Sequence, residues 1–129
     1  MDKEDSITFD DNYWAIRAWR SSIDLSVEME KVFSNFKTHH LLDDMLKIGL
    51  EISSQIAIAF EERKPSESAR FLENAKHACT KLRTRLYLAK EMMVMNQNIA
   101  SKLIELTREV ATLLSKALET IHQTNKEKS

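Results

Sequence analysis

One cysteine, one glycine and one proline in 129 residues exclude several common kinds of protein. With Cys79 alone, no intrachain disulfide can form, and the reducing cytoplasm becomes the expected compartment. With Gly49 alone, no glycine-rich loop exists to wrap a phosphate, so P-loop and dinucleotide-binding chemistry is excluded. Sheets and loop-rich folds place glycine and proline at their turns, so the scarcity of both points to long helices with short links. No apolar run approaches the ~18 residues that span a membrane. The opening Met1-Asp2-Lys3-Glu4-Asp5 is acidic and polar, unlike a secretory signal.

What is present describes one folded domain. The chain is 43% hydrophobic and 30% charged, too apolar for disorder, and its length suits a single core. The net charge of −1 is unevenly spread: −4 over residues 1–11, −2 over 12–63, +5 over 64–90 and zero over 91–129. One segment is therefore locally basic, a weak footprint for a polyanion.

Apolar residues recur at three-four spacing in four blocks. The spacing predicts a first helix from Asp11 to Phe36, entered through Asp10, Asp11 or Asn12, with Ile16, Trp19, Ile23, Val27, Val32 and Phe36 on its core face. Lys37-Thr38-His39-His40 is the expected turn. A second helix, His40 to Arg63, carries Leu42, Met45, Gly49, Ile52, Ile56 and Ala59, with Leu41, Ile48 and Ile58 as a second apolar edge. Lys64-Pro65-Ser66-Glu67 restarts the pattern, since proline suits the first helical position and an acid suits the first turn. A third helix then runs to Met95, with Phe71, Ala75, Ala78, Leu82, Leu86, Ala89 and Met93 inward. Asn96-Gln97-Asn98 is a polar junction. A fourth helix, Gln97 to His122, repeats Ile99, Leu103, Leu106, Val110, Leu113, Ala117 and Ile121, widened by Ile104, Ala111, Leu114 and Leu118.

Four such helices with short links imply an all-α, antiparallel up-down-up-down four-helix bundle over residues 11–122. Residues 1–10 are expected to form a flexible acidic lead and 123–129 a disordered tail. The extra apolar edges of helices two and four predict a homo-oligomer, because an isolated bundle would expose too large a patch.

Candidate chemistry is sparse. His39 and Asp43, and His40 and Asp44, stand four apart and pair on helical faces. Metal sites need three or more converging ligands, so solvated residues at a helix start are the better reading. A di-iron site needs Glu-x-x-His on two helices, whereas Glu73 and His77 stand four apart and have no counterpart. Cys79 sits beside core position Ala78, and His77, though close in sequence, points elsewhere on the helix, so a partly buried inert thiol is expected. Met92, Met93 and Met95 suit core or interface filling better than an adaptable binding surface. No enzyme activity, cofactor or metal is expected.

The basic residues of the third helix are the leading functional feature. Lys76, Arg83 and Lys90 repeat every seven residues and are expected on the face away from the core, with Tyr87 among them for base stacking. Lys81 and Arg85, with Arg70 and His77, flank the core on another side. The competing reading is a solvated charged face held by local ion pairs.

By this third helix the sequence resembles the bacterial four-helix-bundle proteins of 23S rRNA intervening sequences. Tyr13, Ile16, Ala18 and Trp19 fit that family's aromatic opening. Glu51-Ile52-Ser53-Ser54-Gln55-Ile56-Ala57-Ile58-Ala59-Phe60 fits its second element. Lys64-Pro65-Ser66-Glu67-Ser68-Ala69-Arg70-Phe71-Leu72 fits the third without a gap, and Lys81-Leu82-Arg83-Thr84-Arg85-Leu86 fits the fourth. Ile58, Ala59, Gln55 and Lys81 replace the family Glu, Gly, Asn and Glu, and Asp44-Met45-Leu46-Lys47 replaces Gln-Leu-Arg-Arg. The family is similar to the accessory variability determinant of diversity-generating retroelements. That similarity implies a five-membered ring, nucleic-acid binding and a reverse transcriptase as partner. The expectation is a non-enzymatic homo-oligomeric scaffold for nucleic acid, RNA first. The alternative is a protein-interaction scaffold that binds none.

Overall fold

Three helices start where a side chain replaces a missing backbone partner, and the third in chain order starts on a proline. The computed structural model describes residues 12–34 and 39–128, with side chains as far as residue 123. Helix α1 spans Tyr13–Phe33, α2 His40–Glu61, α3 Pro65–Glu91 and α4 Gln97–Lys128. Asn12 caps α1 through Oδ1, which accepts the Ala15 N–H at 3.1 Å. Its Nδ2 donates to the Ala117 carbonyl of α4 at 3.1 Å, so one buried amide both starts α1 and fastens it to the last helix. Asn12→Ala is expected to cost about 1–2 kcal/mol, the sum of a lost cap and a lost buried hydrogen bond. Urea unfolding checks this, and an unchanged midpoint would show that water replaces both bonds.

Side chains also cap α2 and α4. His39 Nδ1 accepts the Leu41 N–H at 3.1 Å and caps α2. Pro65 opens α3, and Ser68 Oγ donates back to the Ala59 carbonyl at 2.9 Å, stitching the α2–α3 corner. Asn96 Oδ1 accepts from the Asn98 N–H at 2.8 Å at the head of α4. Helix α3 stops in a Schellman turn. The Val94 N–H donates to the Ala89 carbonyl at 3.0 Å and the Met93 N–H to the Lys90 carbonyl at 3.2 Å. Met93 takes the left-handed position of that turn, φ 56°, where glycine carries no Cβ penalty.

The helices pack in a ring, α1 on α2, α2 on α3, α3 on α4 and α4 on α1, forming an all-α, antiparallel four-helix bundle. Leu25, Met29, Met45, Ile52, Ile56, Leu72, Leu82, Leu86, Leu103, Val110, Leu114 and Ile121 fill its core. Ser22 and Ser53 bond each other across the α1–α2 seam at 2.9 Å. Gly49 lets the same seam close, since a Cβ there would stand 2.7 Å from Met29 Cε and 2.8 Å from Ser26 Oγ.

Several expectations from spacing are corrected. The buried face of α1 is Ala15, Ala18, Ser22, Leu25, Met29 and Phe33, not Ile16, Trp19, Ile23 and Val27. Alanines occupy the centre because the helices approach closely there, and the bulkier residues are displaced to the flank. Trp19 and Phe71, expected in the core, are half-buried against it, and Leu72 takes the inward place expected for Phe71. Met93 is 77% exposed, because α3 has already ended. Helix α4 continues to Lys128, past the His122 end expected from spacing. Phe36 and residues 1–11 lie outside the described residues.

The apolar edges that motivated an oligomer also move. Leu41, Ile48, Ile104, Leu114 and Leu118 are buried within the single bundle, and of the α2 edge only Ile58 is exposed. The exposed large apolar side chains instead include Val27 on α1, Leu50 on α2, and Leu88, Met92 and Met93 at the end of α3. Among the described residues, no helix is long and apolar enough to cross a membrane.

Candidate nucleic-acid interface

The residues singled out on α3 divide between two flanks of that helix, because its core stripe of Ala75, Ala78, Leu82, Leu86 and Ala89 runs between them. On the α2 flank, Lys81 Nζ stands 3.7 Å from a Glu51 carboxylate oxygen. The Arg85 guanidinium pairs with Asp44 and also donates to the Lys81 carbonyl at 3.2 Å. Asn74 Nδ2 donates to Gln55 Oε1 at 3.3 Å on the same side. These contacts join α2 to α3, so Lys81 and Arg85 are already engaged within the bundle.

On the α4 flank, Lys90 Nζ donates to Ser101 Oγ at 3.1 Å, and the Tyr87 hydroxyl accepts from Arg108 at 2.6 Å. Lys76 and Arg83 share this flank by heptad spacing. The stripe was expected to face away from the core. Lys76, Arg83 and Lys90 are instead half-buried along the edge shared with α4. Neither Lys76 nor Arg83 makes an ion pair among the described residues. An unpaired cation can neutralise a phosphate without first giving up a carboxylate, which separates these two from Lys81 and Arg85.

The remaining candidates resolve simply. His39 is a helix cap stacked on His40, their ring centroids 4.5 Å apart. Asp44 is held by Arg85, and among the described residues no group of three or more His, Cys, Asp or Glu gathers as a metal would require. Burial pushes the Cys79 thiol from 9.0 up to about 12, against a smaller opposing pull from Arg83. The protonated thiol is a poor nucleophile. Of the methionine cluster, Met95 is buried, while Met92 and Met93 are exposed.

The structure also assembles a feature that spacing did not locate. A groove of about 510 Å³ lies between α1 and α4, with Trp14, Arg17, Arg108 and Lys116 on its walls. Lys116 Nζ sits 4.4 Å from the centre of the Trp14 ring. Arg17 Cζ lies 6.0 Å from the same ring and 5.8 Å from that of Tyr13. Glu105 and Glu109 line the groove further along α4, and Arg108 pairs with Glu105 at 3.5 Å. The signal in the sequence was local: Arg17 stands four residues after Tyr13 and three after Trp14, on one helical face. Nothing in the spacing could bring in Lys116, which tertiary packing supplies.

The family profile of the 23S rRNA-intervening sequence protein matches residues 15–116. The chain belongs to this family. No curated protein matches it. The matched span takes in α2 and α3 whole, with every α3 residue discussed above. It begins after Tyr13 and Trp14 and ends at Lys116. The two rings at the head of the α1–α4 groove therefore lie outside the matched span.

Proposed function

We propose that this protein is a non-catalytic, homo-oligomeric scaffold that binds RNA through the α3–α4 edge. The observation that carries the reading is the pairing pattern of α3. Among the described residues Lys76 and Arg83 pair with no carboxylate, and Tyr87, 42% exposed, shares their flank with its hydroxyl bonded to Arg108. Cations for phosphates beside an aromatic ring for a base form a sequence-tolerant RNA surface. Family membership points the same way. Self-association is supported by the exposed apolar side chains Val27, Leu50, Leu88, Met92 and Met93, and the family resemblance makes five subunits the leading stoichiometry. A ring would repeat the edge in every subunit and raise avidity without new contacts. The same resemblance makes a reverse transcriptase the first protein partner to test. The cytoplasm remains the proposed compartment.

A second reading has its own support. Arg20, Arg70, Lys81, Arg85, Lys102 and Arg108 are each paired with an acid, leaving a mixed-charge surface suited to a protein scaffold that binds no nucleic acid.

The discriminating experiment measures binding to structured RNA and single-stranded DNA at about 50 and 200 mM salt, since released counterions make phosphate binding salt-dependent. Wild type is expected to bind at the lower salt and weaken at the higher. Changing Lys76, Arg83 and Lys90 together to Gln should weaken binding, with oligomer size measured on the same samples. Changing Lys81 and Arg85 to Gln should leave affinity nearly intact and cost at most about 1 kcal/mol of stability per exposed pair. Absence of wild-type binding at the lower salt would hand the function to the protein scaffold.

A further inference from the structure

We infer that the head of the α1–α4 groove is a second RNA contact, a subsite for a short single-stranded segment that stacks a base on Tyr13 and sets phosphates against Arg17 and Lys116. This rests on the RNA-binding reading above, and it places a contact on the helix pair that the α3 edge does not include.

The charge pattern locates the subsite. Arg17 and Lys116 make no ion pair among the described residues, whereas Arg20 is held by Asp24 at 3.6 Å and Lys102 by Glu28 at 3.7 Å. Both cations lie near one indole, that of Trp14, at 6.0 Å for Arg17 Cζ and 4.4 Å for Lys116 Nζ. An aromatic ring favours a cation over its face, which leaves the charge available to an anion on the outer side.

The rings supply the second element. Tyr13 is 59% exposed and meets Trp14 edge-on, with centroids 5.0 Å apart. Arg17 stands over one Tyr13 face at 5.8 Å and donates to the hydroxyl at 3.5 Å, so the proposed stack uses the opposite face. Nucleobases stack on such rings irrespective of sequence. An acidic peptide would use the cations and have no need of the exposed ring.

The carboxylates set the length and form of the ligand. Glu105 and Glu109 stand further along α4 in the same groove and repel a phosphate run that continued past Lys116. Arg108 is tied to Glu105 and to the Tyr87 hydroxyl, so it does not extend the run. A groove between adjacent helices, whose axes lie about 8–10 Å apart, is also too narrow to admit a duplex. What fits is a few nucleotides of single strand at the end of the bundle where α1 begins.

The test uses full-length protein with oligouridylate, duplex RNA and polyglutamate. In a Trp19→Phe background Trp14 is the sole tryptophan, and its fluorescence should change on adding oligouridylate and recover with salt. Arg17→Gln with Lys116→Gln should reduce the steepness of the salt dependence by about 1.4, at about 0.7 per phosphate on a single strand. Tyr13→Ala should weaken oligouridylate binding about five- to hundred-fold, the range for a lost base stack. Thermal melting is expected to stay within a few degrees of wild type for both, because neither change touches a buried side chain.

Three results would overturn the assignment. If wild type fails to bind oligouridylate at all, the RNA reading falls together with this one. If it binds but the double variant keeps the wild-type salt slope, the groove is not a contact while the α3 edge still is. If polyglutamate competes as well as oligouridylate and Tyr13→Ala has no effect, the groove takes an acidic peptide.

Discussion

Leu82→Ala is expected to lower the free energy of unfolding by about 2–5 kcal/mol. Leu82 is fully buried at the middle of α3, the helix that packs on both α2 and α4. Its stripe neighbours Ala75, Ala78, Cys79 and Ala89 are too small to fill the space, and the larger Leu86 is itself fully buried in the core. The cost is therefore lost transfer energy plus a cavity that does not collapse. Phe71→Ala offers the contrast. Although it removes more atoms, Phe71 is half-buried and its ring is partly covered by the Arg70 guanidinium at 4.4 Å, so the loss should be the smaller of the two. Urea unfolding of both variants checks the order. A Leu82→Ala loss below about 0.5 kcal/mol would contradict the register of α3, since that is surface-substitution scale.

Native Cys79 is expected to react with a thiol reagent about a thousand-fold more slowly at pH 8 than the same residue in urea, before any steric exclusion is counted. Burial lifts its pKa from 9.0 to about 12, so the reactive thiolate falls from about a tenth of the unfolded population to about one part in ten thousand of the folded one at that pH. The same shift fixes the direction of a pH effect. Below pH 9 the thiol is protonated in both states and adds no pH dependence. Above it the unfolded thiol ionises first, so stability falls as pH rises from 9 towards 12. Stopped-flow labelling in native buffer and in urea measures the ratio. A native rate within about tenfold of the unfolded rate would show that α3 opens readily or that Cys79 lies nearer the surface.

The architecture was legible because scarcity of glycine and proline and three-four spacing act on the chain locally. The stripes of α2 and α4 could be read directly, since leucines and isoleucines occupy their centres. Helix α1 was misread by about one position because Ala15 and Ala18 occupy its centre while the bulkier Ile16 and Trp19 stand beside them. Hydrophobic size was mistaken for depth. The end of α3 was missed because Met93, an apolar residue, adopts a left-handed turn where glycine is the usual signal. For the candidate interface, the α3 cations could be named from the sequence, but their sorting could not. Whether an α3 cation is paired depends on residues of another helix, Glu51 for Lys81 and Asp44 for Arg85. The α1–α4 groove required Lys116 to cross over Trp14, a contact that no local spacing encodes.

Ultraviolet cross-linking of wild-type protein to labelled single-stranded RNA at about 50 mM salt, with the attached peptides identified, bears most directly on RNA binding, because at that salt phosphate contacts are strong. The prediction is a covalent adduct on the α3 peptide that contains Tyr87, with a second on the peptide that contains Tyr13 and Trp14, both diminished at about 200 mM salt. Folded protein of the expected helicity that yields no adduct at the lower salt would contradict RNA binding.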